Sequence, residues 1–536
     1  MAAETEAGSR LAVGRAPTPR AAARSGAGLG LRTYLTGSGV WPLAVALSVV
    51  AVLLPVALTE FAVADDAAML WMAVSGESTA QFGDSVIAQN AVGGRPLAGL
   101  LVQVVFHVAG TIDHLRYVRA LSVASVALFA LLLHWNLMRA GLDRVVAVLI
   151  AVLVCSMPGF LVFASWGVLI AAPLAAIAAG VASMVTVRGV DRGIGLRSWE
   201  YPTAAGLVLA GTWLYQPPAM FYWVFLAIAI VGALDDPVRA WRLAWTHLLV
   251  GAVGLAVSFA SVKAFVWYFG SDTPGATRSG LSHDVPGRLR WFGEEPLYHA
   301  LNLFDLTPTQ WEAAIVVAVA AAGMLLWLFT SVRRPWLYAG IAIALVPLSH
   351  LPNLVVTDPW SPLRTQTALA GLLALYLSLG AIGLWLVADR ATGLRLNEDE
   401  RRLWRILPRG VAVAVVAVSC VVGTSNVSNL NARPLNTELR MLRGQVRGLA
   451  PETPRLTFVF TDWYGGMTDF VAYDELGLPF GARPWAPGPM IDLLLDEEGR
   501  LTSGYRGPDI DYYMSGSTRF PPGQPVIDLR GIRALR

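Results

Sequence analysis

Charge is what this 536-residue chain has least of: 14% of its residues are charged and 55% are hydrophobic, with a mean hydropathy of +0.55. A soluble globular domain carries roughly 25% charged residues, so a soluble protein is excluded. Lysine is nearly missing, Lys263 being the single one, and the basic charge is otherwise arginine. The net charge of +3 is too small to point to nucleic acid as a partner. There are two cysteines, Cys155 and Cys420, both inside apolar runs, which gives no basis for a disulfide framework or a thiolate metal site. HExxH, Walker and GxSxG patterns are also missing, which removes the commonest signatures of zinc peptidases, nucleotide hydrolases and serine hydrolases.

What the chain does have is long apolar runs. The first 38 residues read as a disordered cytoplasmic tail rich in Ala, Gly, Ser, Pro and Arg. The run Val40–Val63 is long enough to span a bilayer and reads as a retained first helix, not a signal peptide. Further spans are expected at Leu115–Met138, Arg144–Phe163, Trp166–Val187, Pro202–Leu214, Ala219–Leu234, Thr246–Phe269, Trp311–Ser331, Pro335–Ser349, Thr365–Val387 and Val411–Ser425. The expectation is an all-α polytopic membrane bundle of about 11 transmembrane helices. Tyr215-Gln216-Pro217-Pro218 splits Pro202–Leu234 into two spans, because two prolines remove two helix hydrogen bonds. Charge supports the split. With two spans, Arg139/Arg144, Arg188/Arg192/Arg197, Arg239/Arg242, Arg333/Arg334 and the Arg390–Arg409 loop all fall on the cytoplasmic side. Outside then lie 64–94, 270–310, 350–364 and everything from 426.

From residue 426 the composition changes. Gly and Pro become frequent and apolar runs shrink to strand length, as in Arg455–Thr461 and Pro525–Leu529, while Asn436–Leu449 has helical amphipathic spacing. The domains expected are therefore 1–38 (tail), 39–425 (membrane) and 426–536, a small extracytoplasmic α/β or α+β domain.

Charges at membrane edges carry the chemical information, because burying them in lipid is costly. Asp65 and Asp66 follow the first helix on the outer side. Adjacent carboxylates suit a general base, or simply end a helix in water. Arg95, in Gly93-Gly94-Arg95-Pro96-Leu97, stands at headgroup depth, where it binds a phosphate or serves as a snorkelling anchor. Lys263, near the outer end of its span and followed by Trp267 and Tyr268, has the same two readings, and a compact ammonium suits a phosphate. Trp360 and Arg364 sit at a helix mouth, fit respectively for sugar stacking and phosphate binding, or for an aromatic belt. The polar loop 270–310 has no pair at metal-ligand spacing.

Together these features resemble the GT-C superfamily of polytopic glycosyltransferases, and within it the glucosyltransferase II family, which modifies bacterial O-antigen and related surface glycans. The resemblance rests on Asp65-Asp66, Gly94-Arg95-Pro96-Leu97, Tyr215-Gln216 in a broken helix, and Arg364, and covers 40–387. Ala67 stands where that family would carry a Trp, and Trp71 follows later. The resemblance implies a bacterial cell-membrane enzyme. It would transfer a sugar, with inversion, from a polyprenyl-phosphate donor to a glycan or lipid-linked acceptor on the outer face. Asp65 and Asp66 would be catalytic, Arg95, Lys263 and Arg364 would bind the donor phosphate, and Tyr215, Gln216 and Trp360 would contact substrate. No cofactor is expected, with divalent metal left open. The rival classes are a transporter or flippase of a lipid-linked substrate, since broken helices and buried charges also mark those, and a non-catalytic scaffold.

Overall fold

The computed structural model describes residues 39–531, apart from 76–78, 196–197, 275, 277–279, 304–305, 307–308, 359, 393–397, 451–452, 461–474, 484, 501–508 and 514–518. The expected N-terminal tail and Thr461 lie outside the described residues. The first half of the chain gives α1 (Val40–Leu58), α2 (Ala64–Val74), α3 (Thr79–Val92), α4 (Pro96–Ala109), α5 (Leu115–Arg139), α6 (Arg144–Cys155), α7 (Pro158–Ser165), α8 (Ala171–Asp191), α9 (Glu200–Leu214), α10 (Gln216–Ala219) and α11 (Phe221–Val231). There follow α12 (Pro237–Phe269), α13 (Val285–Glu294), α14 (Pro296–Leu301), α15 (Gln310–Ser331), α16 (Pro335–Leu348), α17 (Leu351–Val355), α18 (Thr367–Thr392), α19 (Glu398–Asn426), α20 (Arg433–Val446) and α21 (Pro487–Glu497).

The protein is a multi-pass membrane protein. Among the described residues seven helices are long and apolar enough to cross a membrane: Val40–Leu58, Leu115–Arg139, Gly167–Asp191, Pro237–Phe269, Gln310–Ser331, Thr367–Thr392 and Ile406–Val446. The pair α6–α7, bent by 59°, makes an eighth if counted as one span. Each of the eleven expected segments contains helix, but three of them correspond to shorter helices. These are α9 with 15 residues, Gln216–Val231, and α16 with 14 residues.

Local sequence explains the breaks. Pro158 ends α6–α7 continuity by taking the N1/N2 position of α7, where its missing N–H costs nothing. Tyr215 turns extended, at φ −165°, to end α9, and the two prolines behind it start α10. Asp143 and Asp236 cap α6 and α12 by accepting from Val145 N (2.9 Å) and Arg239 N (3.0 Å). Helices α15 and α18 approach so closely at Gly323, Gly380 and Gly383 that a Cβ at any of the three would collide with the facing backbone. Small residues of this kind let helices pack where lipid supplies no hydrophobic drive.

The connections between helices fall into two groups. At one end Arg409 pairs with Asp143 (3.5 Å), Arg239 with Asp191 (2.8 Å), Arg390 donates to Ser331 Oγ (3.2 Å), and the Tyr338 hydroxyl reaches Ala233 O (2.9 Å). At the other, Gln216 Nε2 donates to Gly93 O (2.9 Å), Ile112 N to Glu497 (2.9 Å), and Ser361 Oγ to Glu295 (2.7 Å). The first group holds the arginine-bearing loops. Splitting Pro202–Leu234 at Tyr215 is what lets the connections sort this way.

Beyond residue 426 the chain does not begin with a linker. Helix α19 continues through one π-helical segment, Val427–Ala432, into α20. Three short parallel strands follow: β1 (Arg455–Val459), β2 (Asp509–Tyr513) and β3 (Val526–Asp528), in the order β2-β1-β3. The runs at Arg455–Thr461 and Pro525–Leu529 contain β1 and β3, and β2 had no sequence forecast. Leu456, Phe458 and Ile527 are buried in the same continuous core as the bundle.

Candidate functional site

The paired carboxylates stand in the first turn of α2, where the helix macrodipole favours negative charge. Neighbouring residues on a helix point about 100° apart, so the two diverge. Asp66 is fully buried, and its two oxygens accept from Gly167 N (3.0 Å) and Val168 N (3.0 Å), at the 3-10 turn after Trp166. Burial pushes its pKa up to about 6, against the pull of those two amide bonds. Asp65 is only partly buried, and its carboxylate accepts from Trp485 Nε1 at 3.2 Å.

Behind this turn lies Arg119 of α5, fully buried. Its guanidinium donates to Val56 O, Thr59 O and Phe61 O, each at 2.8 Å, and lies 3.9 Å from the Phe61 ring centroid. It satisfies the carbonyls that α1 leaves open at its C-terminal end and holds the linker leading to Asp65. The sequence did carry a signal for this residue: an arginine inside the expected span Leu115–Met138, near its start.

The cations and aromatics named from the sequence are joined by direct contacts. Gln216 Nε2 holds Gly93 O, and Gly94 adopts φ +78° with no room for a Cβ, which would lie 2.5 Å from Gln216 Nε2 and 2.9 Å from Val262. That loop sets Arg95, whose guanidinium is 5.5 Å from the Tyr215 ring centroid. Arg364 donates to the Tyr215 hydroxyl and lies between two indoles, 5.1 Å from Trp166 and 4.5 Å from Trp360. Its Nη1 pairs with Glu475 at 2.8 Å, and its backbone N donates to the other Glu475 oxygen at 3.0 Å. Asp65 lies within electrostatic reach of Arg364. The buried Trp166 Nε1 has no hydrogen-bond partner among the described residues.

Lys263 is placed differently. It is exposed on α12, with its ammonium 5.2 Å from the Phe259 ring centroid. Its neighbour Val262 is the residue packed against Gly94, so the backbone at Lys263 runs beside the Arg95 loop. Among the described residues no group of three or more His, Cys, Asp or Glu could hold a metal ion.

Glu475 and Trp485 were not legible in the sequence. They meet their partners across separations of 111 and 420 residues, and nothing in their local sequence announces it. The structure braces both. Buried Glu438 of α20 accepts from Phe480 N (3.0 Å) and Gly481 N (3.2 Å), while Arg443 pairs with Glu60 (2.7 Å) and Asn436 donates to Glu60 O (2.5 Å). The arrangement thus sets a partly open carboxylate beside an aromatic-walled arginine, with an N–H donor in the same wall that no described residue satisfies.

No protein-family model matches the chain, and no curated protein matches it. Solved structures similar to it include two of the oligosaccharyltransferase from Archaeoglobus fulgidus. One, in complex with Zn and sulfate, gives a TM-score of 0.39 at 14% identity, covering 84% of this chain and 63% of that one. The other, in complex with an inhibitory peptide and a dolichol-phosphate, gives 0.41 at 11% identity, covering 85% of this chain and 68% of that one. The chain therefore spans less than two thirds of the first of these structures, and the likeness in fold is weak.

Proposed function

We propose that the protein is a membrane glycosyltransferase of GT-C type, using a sugar linked to polyprenyl phosphate as donor and a cell-envelope glycan or lipid-linked acceptor. The observation that carries this reading is Asp65: a carboxylate open to solvent, within electrostatic reach of Arg364, on a turn held rigid by Arg119 and Asp66. Asp65 takes the proton of the acceptor hydroxyl. The hydroxyl oxygen attacks the anomeric carbon, the bond from that carbon to the phosphate oxygen breaks, and polyprenyl phosphate leaves with the bonding electrons. A base and a leaving group on opposite sides of the reacting carbon give inversion.

In this reading Arg95 and Arg364 stabilise the leaving phosphate, with Lys263 as a further cation at the rim. An incoming phosphate oxygen also satisfies Trp166 Nε1, which in a buried site costs about 1–3 kcal/mol when left unpaired. Tyr215 and Gln216 hold the two arginine-bearing segments in register, and Trp360 walls the sugar. Asp66 anchors the turn that carries the base, since both its oxygens are taken by amides. The test is to incubate membranes containing the protein with a panel of polyprenyl-phosphate sugars and labelled envelope glycans. Transfer from at least one donor, lost in Asp65→Asn, supports the reading. Movement of the lipid-linked sugar across vesicles without any transfer would replace it with the transporter class.

A further inference from the structure

We propose that Trp485, contributed by the region after the bundle, is the platform on which a carbohydrate acceptor stacks, so that the C-terminal region forms one wall of the reaction site. The inference rests on Asp65 being the base, and it names the chemistry of what that base meets. A general base must come within hydrogen-bonding distance, about 2.6–3.2 Å, of the hydroxyl it deprotonates. The Trp485 indole donates to that same carboxylate at 3.2 Å. Whatever brings a hydroxyl to Asp65 must therefore lie in van der Waals reach of the Trp485 ring.

The ring is presented as a ligand surface would be. It is 49% exposed although its N–H is engaged. Its π-face has the Arg483 guanidinium 5.1 Å from the centroid. A π-face carries negative charge density, which attracts the slightly positive C–H groups on the apolar face of a sugar ring. The platform is also stiff. Glu438 pins Phe480 and Gly481 just upstream, and α21 begins at Pro487 just downstream. Helix α20 is tied to Glu60 in the linker that carries Asp65. Base and platform thus share one frame, as positioning a hydroxyl for attack requires.

This division of the site separates two binding events. Arg95, Tyr215, Arg364 and Trp360 face the donor, and Trp485 faces the acceptor. Substituting Trp485 should change acceptor binding and leave donor binding alone.

The experiment uses the full chain in lipid nanodiscs, with methyl glycosides of common hexoses and pentoses as probes, followed by saturation-transfer NMR. The wild type should bind at least one methyl glycoside. Trp485→Ala should weaken that binding at least about tenfold, the size of a buried aromatic contact. Trp485→Phe, which keeps an aromatic face, though a smaller one, and loses the bond to Asp65, should retain most of it. Polyprenyl phosphate binding, measured in the same samples, should be unchanged in both variants and shows that the fold survives. Unaltered glycoside binding by Trp485→Ala overturns the proposal, and so does a wild type that binds no glycoside. If glycosides bind through Trp485 but no polyprenyl-phosphate sugar is ever transferred, the enzymatic reading fails while the platform stands.

Discussion

Asp65 and Asp66 are chemically identical and adjacent, yet the helix turn gives them opposite surroundings. Asp65→Asn keeps the side chain's shape and an oxygen to accept from Trp485, and removes only the base. Turnover should fall roughly 10²–10⁴-fold with donor binding retained; near-wild-type turnover would remove Asp65 from the mechanism. Asp66→Asn does something else. Asparagine offers one acceptor oxygen to two amides, so Gly167 N or Val168 N is left facing an NH2 group, at a cost of about 1–3 kcal/mol in stability. Asp66 also confers a pH dependence. Its pKa in the folded chain is about 6, above the ordinary aspartate value of ~3.9. The folded state therefore holds the proton more tightly than the unfolded state. The stability Asp66 contributes through that proton is fully present below pH ~4 and is lost as pH rises through about 6. Thermal melts in detergent at several pH values between 4 and 7 should show the gap between wild type and Asp66→Asn narrowing as pH rises. A gap that widens would show that the carboxyl is not held protonated by burial.

At the scale of elements, the joint between α1 and α2 decides where the base stands. One arginine on α5 holds three carbonyls across that joint. Arg119→Lys keeps the positive charge, but a single ammonium cannot span carbonyls from Val56 to Phe61. Turnover should fall roughly 10–100-fold, as expected for a displacement of about 1 Å at a catalytic group. The affinity for polyprenyl phosphate should stay as in the wild type, because the arginines of the donor side are held by other elements. Equal loss of both would mean that Arg119 supports the fold generally. The second critical element is the turn before α4. Gly94 has φ +78° and no space for a side chain, so Gly94→Ala pays the left-handed backbone strain of about 1–2 kcal/mol and pushes Gln216 and Val262 aside. Arg95 moves with it. Titration with polyprenyl phosphate should show weakened binding, and unchanged affinity would place Arg95 outside the donor site.

At the scale of the molecule, the helix connections form two sets at opposite ends, and the arginine-rich set is expected in the cytoplasm. Ser271 and Ser331 are exposed at opposite ends. With Cys155 and Cys420 replaced, an impermeant maleimide applied to intact cells should label Ser271→Cys and spare Ser331→Cys until lysis. The reverse pattern would invert the orientation and place the candidate site in the cytoplasm.

Hydropathy and arginine placement by themselves determined the membrane class, the positions of the apolar helices and the break at Tyr215, because in lipid a helix must satisfy its own backbone and so announces itself by composition alone. Charges and an aromatic at the membrane edge singled out Asp65, Arg95, Trp360 and Arg364, and the family resemblance added Tyr215 and Gln216. The distinction between Asp65 and Asp66 was decided only by tertiary structure: it depends on which carboxylate meets the amides of Gly167 and Val168, about a hundred residues away. The same holds for Glu475 on Arg364 and Trp485 on Asp65. These pairings arise from the packing of the C-terminal region onto α2 and its linker. No local periodicity encodes such packing, because its partners are brought together by shape and burial across hundreds of residues rather than by spacing along the chain.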